Sequence, residues 1–173
     1  MNAPAADTTH RSRRARTVDG QAPSSRWRPS APLLAAGAVS IIAGGLAAAV
    51  TGPTGWEHGS WVAAFLVLVA GVAQIGAAGA QVELTAIPAT ARVAAVECAL
   101  WNAGCLTVIA GTLVSNPVAV AIGSAALVAT LAMSSLAVRA PVRHPRLTLA
   151  YRTLIIVLLA SIPVGVALAW MRR

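Results

Sequence analysis

The sequence predicts an all-α fold: an integral membrane bundle of about five transmembrane helices behind a disordered, basic N-terminal tail. Three observations carry that reading. Of the 173 residues, 57% are hydrophobic and 10% charged, against roughly 45–50% apolar and about 25% charged in an average soluble domain. Five apolar runs use up most of the chain, and each is long enough to cross roughly 30 Å of hydrocarbon at about 1.5 Å per residue. The charge that exists lies mostly between those runs.

Residues 1–30 are polar, rich in Ala, Pro, Ser, Thr and Arg, and carry no apolar periodicity on which a core could form. They read as a disordered cytoplasmic tail, with residues 31–171 as the transmembrane domain. The twin Arg of Ser12-Arg13-Arg14 is not followed by the apolar residues an export signal needs. The first helix is expected from about Ala31 to Val50, with Pro32 in its first turn and Thr51-Gly52-Pro53 ending it. The long polar lead favours an uncleaved span over a signal peptide. The second is expected over about 60–82, after a short loop holding Trp56, Glu57 and His58. The third spans about 92–114, separated from the second by a segment in which Pro88 is the breaker. Ser115-Asn116-Pro117 makes a tight turn into the fourth, which runs to about Val138. The fifth covers about 149–170, with Pro163 inside it.

All thirteen basic residues are Arg, and they give the chain a formal net charge of +8. Neither the spacing nor the aromatic interleaving of a nucleic-acid module accompanies them, so no nucleic-acid partner is expected. Their placement follows the positive-inside pattern instead. Five crossings with the N-terminus in the cytoplasm put the six Arg of the tail, Arg92, and the loop carrying Arg139, Arg143 and Arg146 on one side. The loops at 51–59 and 115–117 contain no Arg; the terminal Arg172 and Arg173 are the exception. Trp56, Trp61 and Trp170 fit an aromatic belt at the opposite interface, and Trp27 one at the cytoplasmic face. The absence of Lys beside abundant Ala, Gly and Arg points to a GC-rich bacterial genome, and hence to the bacterial cytoplasmic membrane.

Helices in lipid associate through small residues that let backbones approach. Expected contact faces are Ala36, Ser40, Gly44 and Ala47 or Ala48 in the first helix, and Gly76, Gly79 and Ala80 in the second. Gly104 and Gly111 serve the third, and Ala125 and Ala129, with Ala126, Thr130 and Ser134 beside them, the fourth. Pro163 is expected to kink the fifth helix and release the Leu159 carbonyl.

Polar groups at membrane depth are costly and therefore informative. Glu97 lies about five residues inside its helix, roughly 7 Å deep. With Trp101, Gly104, Val108 and Gly111 it follows the 4-3-4-3 spacing of a single helical stripe. Asn102 lies on the neighbouring stripe, with Cys98, Cys105 and Thr112. The second helix contributes Gln74 near mid-membrane and Gln81 and Glu83 at the cytoplasmic end. Arg92 and Arg152 are the two cations placed to pair with Glu97. The candidate intramembrane polar cluster is therefore Gln74, Gln81, Glu83, Glu97, Asn102 and Arg152, built mainly on helices two and three.

Cys98 and Cys105 are separated by about 10 Å along an intact helix and cannot form a disulfide with each other. No CxxC, GxSxG, HExxH or phosphate-loop motif is present, and the three His are scattered between tail and opposite membrane faces. No metal, cofactor or catalytic constellation is expected. The leading expectation is a non-enzymatic membrane component, an accessory or assembly subunit surrounded by lipid and working in a homo-oligomer or larger membrane complex. The alternative is a small oligomeric transporter or channel in which Glu97 is the titrating group.

Overall fold

A computed structural model of the chain describes residues 27–85, 90–137 and 145–171. Within them stand five long apolar helices, each of a length and composition that crosses a membrane. The chain is a multi-pass all-α membrane protein. We number the helices α1 (Ala31–Thr54), α2 (Gly59–Leu84), α3 (Ala91–Leu113), α4 (Pro117–Ala137) and α5 (Pro145–Met171). They run alternately up and down. One end of the bundle, here called proximal, carries Ser30, Thr85, Thr90 and Pro145. The distal end carries Gly55–His58, Val114–Asn116 and Met171.

Residues 1–26 of the expected 1–30 tail lie outside the described residues, and its last four, Trp27 to Ser30, form a turn in which the Trp27 carbonyl accepts from the Ser30 N–H at 3.1 Å. The Arg139 and Arg143 loop and the terminal Arg pair lie outside them too.

Two helix boundaries differ from expectation for local reasons. α1 does not stop at Val50 but continues through Pro53. A proline there removes a single backbone donor, and the hydroxyls of Thr51 and Thr54 donate to the Ala47 and Val50 carbonyls at 2.6 and 2.7 Å. Gly55, at φ +62°, then turns the chain out of the helix in the left-handed conformation that glycine tolerates. α5 begins four residues earlier than expected, because Pro145 is compatible with a first helical position, where no intrahelical donor is required.

The α3–α4 turn is fully accounted for. Ser115 takes a positive φ of 53°, and the Asn116 N–H bonds the Gly111 carbonyl at 2.8 Å. Asn116 Oδ1 then caps α4 by accepting from the N–H groups of Val118 and Ala119 at 3.1 and 3.2 Å. At the other end of α3, Thr90 Oγ1 accepts from the Val93 N–H.

Small residues set the pairing, though not all of the expected ones. A Cβ added to Gly37 would lie 2.6 Å from Ile75 and 3.1 Å from the Gly71 carbonyl, and one on Gly44 would lie 2.9 Å from the Ala63 carbonyl. These contacts clamp α1 on α2. On the second hairpin Gly104 and Gly123 face each other, a Cβ on either falling 3.0 or 2.7 Å from the carbonyl of the other. Gly111 packs against the Val120 backbone at a corresponding distance of 2.8 Å. The seam through Gly104 and Gly111 is therefore as expected, whereas its partner is Gly123 with Val120 and Leu127. Ala125 and Ala129 are exposed, while Thr130 and Ser134 are buried. Gly76 is likewise exposed, and nothing lies within 4 Å of a Cβ placed on Gly79; the inner half of α2 packs through Ala77, Ala78, Ala80 and Gln81 instead.

Within α2, residues Leu66–Ala73 form a π-helical stretch. This wider turn, common where helices are locally adjusted in membranes, lies where α2 passes between α1 and α3. There the Val69 carbonyl accepts the indole N–H of Trp101 at 3.2 Å. A core of Ala70, Ala73, Ala77, Trp101, Leu127, Leu131, Tyr151 and neighbours joins α2 to α5. A smaller cluster of Leu33, Ala78 and Ala94 ties in α1. α5 is the least buried span; among the described residues its buried side chains, Thr148, Tyr151 and Ile155, lie in its proximal half. The helix runs unbroken past Pro163, and Ser161 Oγ donates to the Leu158 carbonyl at 2.8 Å in the turn before it.

Candidate functional site

The inward stripe of α3 positions the site. Glu97, Trp101, Gly104, Val108 and Gly111 are all buried, as the spacing predicts, and Glu97 is 2% exposed. Its carboxyl group is met from two other helices. Gln81 Nε2, on α2, donates to Glu97 Oε1 at 2.7 Å. Ser134 Oγ, on α4, also donates to Oε1. Gln81 Nε2 lies 3.2 Å from Ser134 Oγ, so the three side chains close a triangle. The Thr130 carbonyl, 3.1 Å from Ser134 Oγ, is the alternative acceptor for its single hydroxyl proton. Thr85 Oγ1 donates to the Gln81 carbonyl and steadies the end of α2.

α5 adds the last member. Tyr151 is 5% exposed and sits beside Ser134, Ser135 and Glu97. Its Oη faces the hydroxyls of Ser134 and Ser135 on α4, at the edge of hydrogen-bonding geometry.

The six expected members of the polar cluster do not assemble as one group. Gln81 and Glu97 meet. Gln74, fully buried, lies two turns deeper, where its Nε2 reaches Cys98 Sγ at 3.7 Å and its Oε1 is left without a partner. Asn102 turns back on its own helix, donating to the Cys98 carbonyl at 2.8 Å. Glu83 and Arg152 are exposed, as is Arg92. Among the described residues neither Arg pairs with Glu97. The expected ion pair is replaced by neutral donors, because both guanidinium groups lie on outward faces from which long side chains can reach headgroup water. The node also draws on α4 as much as on α2.

Two members are absent from the sequence-based set. Ser134 counts there only as a small packing residue, yet Thr130 and Ser134, four apart, put two hydroxyls on one face of α4. Tyr151 is the one Tyr of the chain, and its position one turn into a span is the signal that could have drawn notice.

Above the node the bundle opens. A cavity of about 420 Å³ lies in the distal half between α2, α3, α4 and α5. Its mouth has His58, Ser115 and Asn116. Trp61 and Phe65 line its wall, their ring centroids 5.3 Å apart and their planes inclined by 28°. Trp101 and Leu131 are its deepest lining. Trp101 is four residues from Glu97, and Leu131 three from Ser134, so the floor of the cavity is the roof of the polar node. Two of its four hydroxyls, those of Thr112 and Ser161, donate to carbonyls of their own helices. Cys105 is buried, and Cys98 half-buried; both are free thiols.

Among the described residues no three His, Cys, Asp or Glu side chains group as metal ligands. No protein-family model, curated protein or solved structure matches this chain.

Proposed function

We propose that this protein is a non-enzymatic component of a bacterial cytoplasmic membrane, acting as an accessory or assembly subunit, with its N-terminus in the cytoplasm and the distal end outside. The observation that supports the role is the way α5 is attached. Its proximal half is seated by Tyr151 and Ile155, while its distal half borders the cavity and presents exposed side chains such as Val164. A span so thinly covered by its own chain is suited to contacts with another subunit, a second copy or a different protein. Orientation rests on the arginines: Arg28, Arg92, Arg146 and Arg152 all lie toward the proximal end, and the distal turns at 55–58 and 114–116 carry none.

Blue-native electrophoresis combined with crosslinking through α5 tests the role. A discrete complex containing crosslinks to α5 is expected; a strictly monomeric protein with no associated chain would overturn the reading. Reporter fusions after residue 55 should report the outside, and fusions after residue 143 the cytoplasm.

One observation favours a second reading, a small oligomeric transporter or channel. The cavity opens at the distal face and ends against Trp101, the residue one helical turn along α3 from Glu97. On this reading Glu97→Gln abolishes a pH-dependent flux in proteoliposomes with expression intact, and an unaltered flux rejects it.

A further inference from the structure

Hydroxyl groups inside a membrane helix commonly turn back to a carbonyl of their own chain, which leaves no donor facing hydrocarbon. Thr107, Thr112, Thr130 and Ser135 all do so, each donating to the carbonyl four residues back. Ser124 does not. It is 7% exposed, lines the distal cavity, and makes no hydrogen bond among the described residues. Eight residues along α4 from Asn116 at the mouth, it stands about 12 Å deep. Below it the cavity ends blind against Leu127, Leu131 and Trp101. A buried hydroxyl aimed into such a space calls for an acceptor from outside the chain.

The rest of the lining narrows what could bring that acceptor. Its volume, about 420 Å³, lies within the range of small-ligand sites. Among the described residues the lining includes no Asp, Glu or Arg, so a charged ligand would go unpaired. The walls are aromatic: Trp61 and Phe65 stack on one side, and Trp101 forms part of the floor. The Trp101 indole N–H is spent on the Val69 carbonyl, so it offers only its ring. The cavity also opens sideways. α5 packs on α2 mainly through Gln74–Leu84. Nearer the distal end, Trp61 on α2 and Ser161 and Gly165 on α5 line the cavity and remain exposed. A ligand can therefore enter from the bilayer and leave an apolar tail there.

We propose that the distal cavity binds the headgroup of a membrane-soluble isoprenoid quinone. The neutral, flat ring lies among Trp61, Phe65 and Trp101, one carbonyl accepts from Ser124 Oγ, and the tail leaves between the distal halves of α2 and α5. The second carbonyl turns toward the polar mouth at His58 and Asn116. An acyl chain alone has no acceptor at the depth of Ser124, and a fatty acid or phospholipid brings a charge that the lining cannot pair. The site goes beyond both functional readings above, since it requires neither a partner subunit nor transport.

The test is photolabelling of the full-length protein in liposomes with an azido-substituted naphthoquinone bearing an isoprenoid tail, followed by peptide mapping. Labels are expected on buried lining residues such as Ser124 and Leu127, and excess menaquinone with a four-unit tail should remove them. Labels on lipid-facing Leu106 should persist and report an intact bundle. Labelling confined to lipid-facing residues would overturn the site. Competition by hexadecanoic acid as strong as by menaquinone would assign the cavity to a hydrocarbon chain and overturn the quinone. Ser124→Ala should weaken menaquinone competition about fivefold, whereas Thr107→Ala, outside the cavity, should leave it unchanged. In the infrared, the carbonyl stretch of bound quinone should lie lower in the parent than in Ser124→Ala; identical stretches would overturn the hydrogen bond. Nothing lies within 4 Å of a Cβ added at Gly165, so Gly165→Phe should obstruct the side opening and slow labelling of Ser124 several-fold. An unchanged rate would overturn the lateral route.

Discussion

The α3–α4 hairpin and α5 show two ways of joining a membrane bundle. In the hairpin the two backbones touch, with Gly104 against Gly123 and Gly111 against Val120. α5 meets its neighbours mainly through the side chains of Tyr151 and Ile155 at one end, with Leu154, Leu158 and Ile162 only partly buried against the core. Its own glycine, Gly165, faces open space. Lipid gives an apolar helix no reason to prefer protein over solvent, so the length of a contact follows the supply of small residues that face one another. The hairpin has that supply through its distal half, from Gly104 to Gly111 and at Gly123. α5 does not, and the cavity is the result.

The comparison can be broken from its tight side. Gly123→Val would place a Cβ 2.7 Å from the Gly104 carbonyl and 2.8 Å from the Val108 nitrogen. Both are backbone atoms that cannot turn aside, so a loss of about 3 kcal/mol is expected. Unfolding midpoints in mixed detergent should fall accordingly, while Gly45→Val, with nothing within 4 Å, stays within about 0.5 kcal/mol of the parent. Equal midpoints would show that backbone contact is not what holds the hairpin.

Next in size is the node that ties three helices together. Gln81→Leu removes a donor to a buried carboxyl group and should cost about 1–2 kcal/mol in the same assay. Trp101→Phe keeps the ring in the core but releases the Val69 carbonyl, with a loss of about 1 kcal/mol. Hydrogen exchange at the π-helical stretch of α2 should rise with it, and exchange in α1 should not. The smallest effect belongs to the open side: Gly165→Ala should be neutral or stabilising by up to about 1 kcal/mol, since it touches nothing and removes a flexible helix residue. A marked destabilisation there would mean that α5 is packed more closely than its surroundings imply.

The five spans and the buried stripe of α3 are legible in the sequence because length, hydropathy and 3.6-residue spacing are local properties. The polar residues of that stripe break an otherwise uniform apolar surface, so the face they share can be read directly. The partner face of α4 cannot be. Gly123 and Ala125 are equally small, and in lipid both the core face and the outer face are apolar, so periodicity does not say which one turns inward. The division of the polar set has the same origin. Whether Gln74 and Asn102 join Glu97 or turn to Cys98 depends on distances across helices, and Arg92 and Arg152 are drawn outward by water that no spacing rule represents. The π-helical stretch of α2 has no mark in its residues, being set by the neighbours it passes.

The turn at Ser115 and Asn116 has a consequence for how the chain enters a bilayer. α3 is the least apolar of the five spans, and alone it would present Glu97 to hydrocarbon. The turn joins it through three residues, Val114 to Asn116, to the helix that carries Ser134, and the glycine seam holds the distal halves of the two together. Inserted as a pair, α3 and α4 bring a hydroxyl donor to the carboxyl group from the helix next in the chain's path, so lipid meets the acid already partnered instead of orphaned.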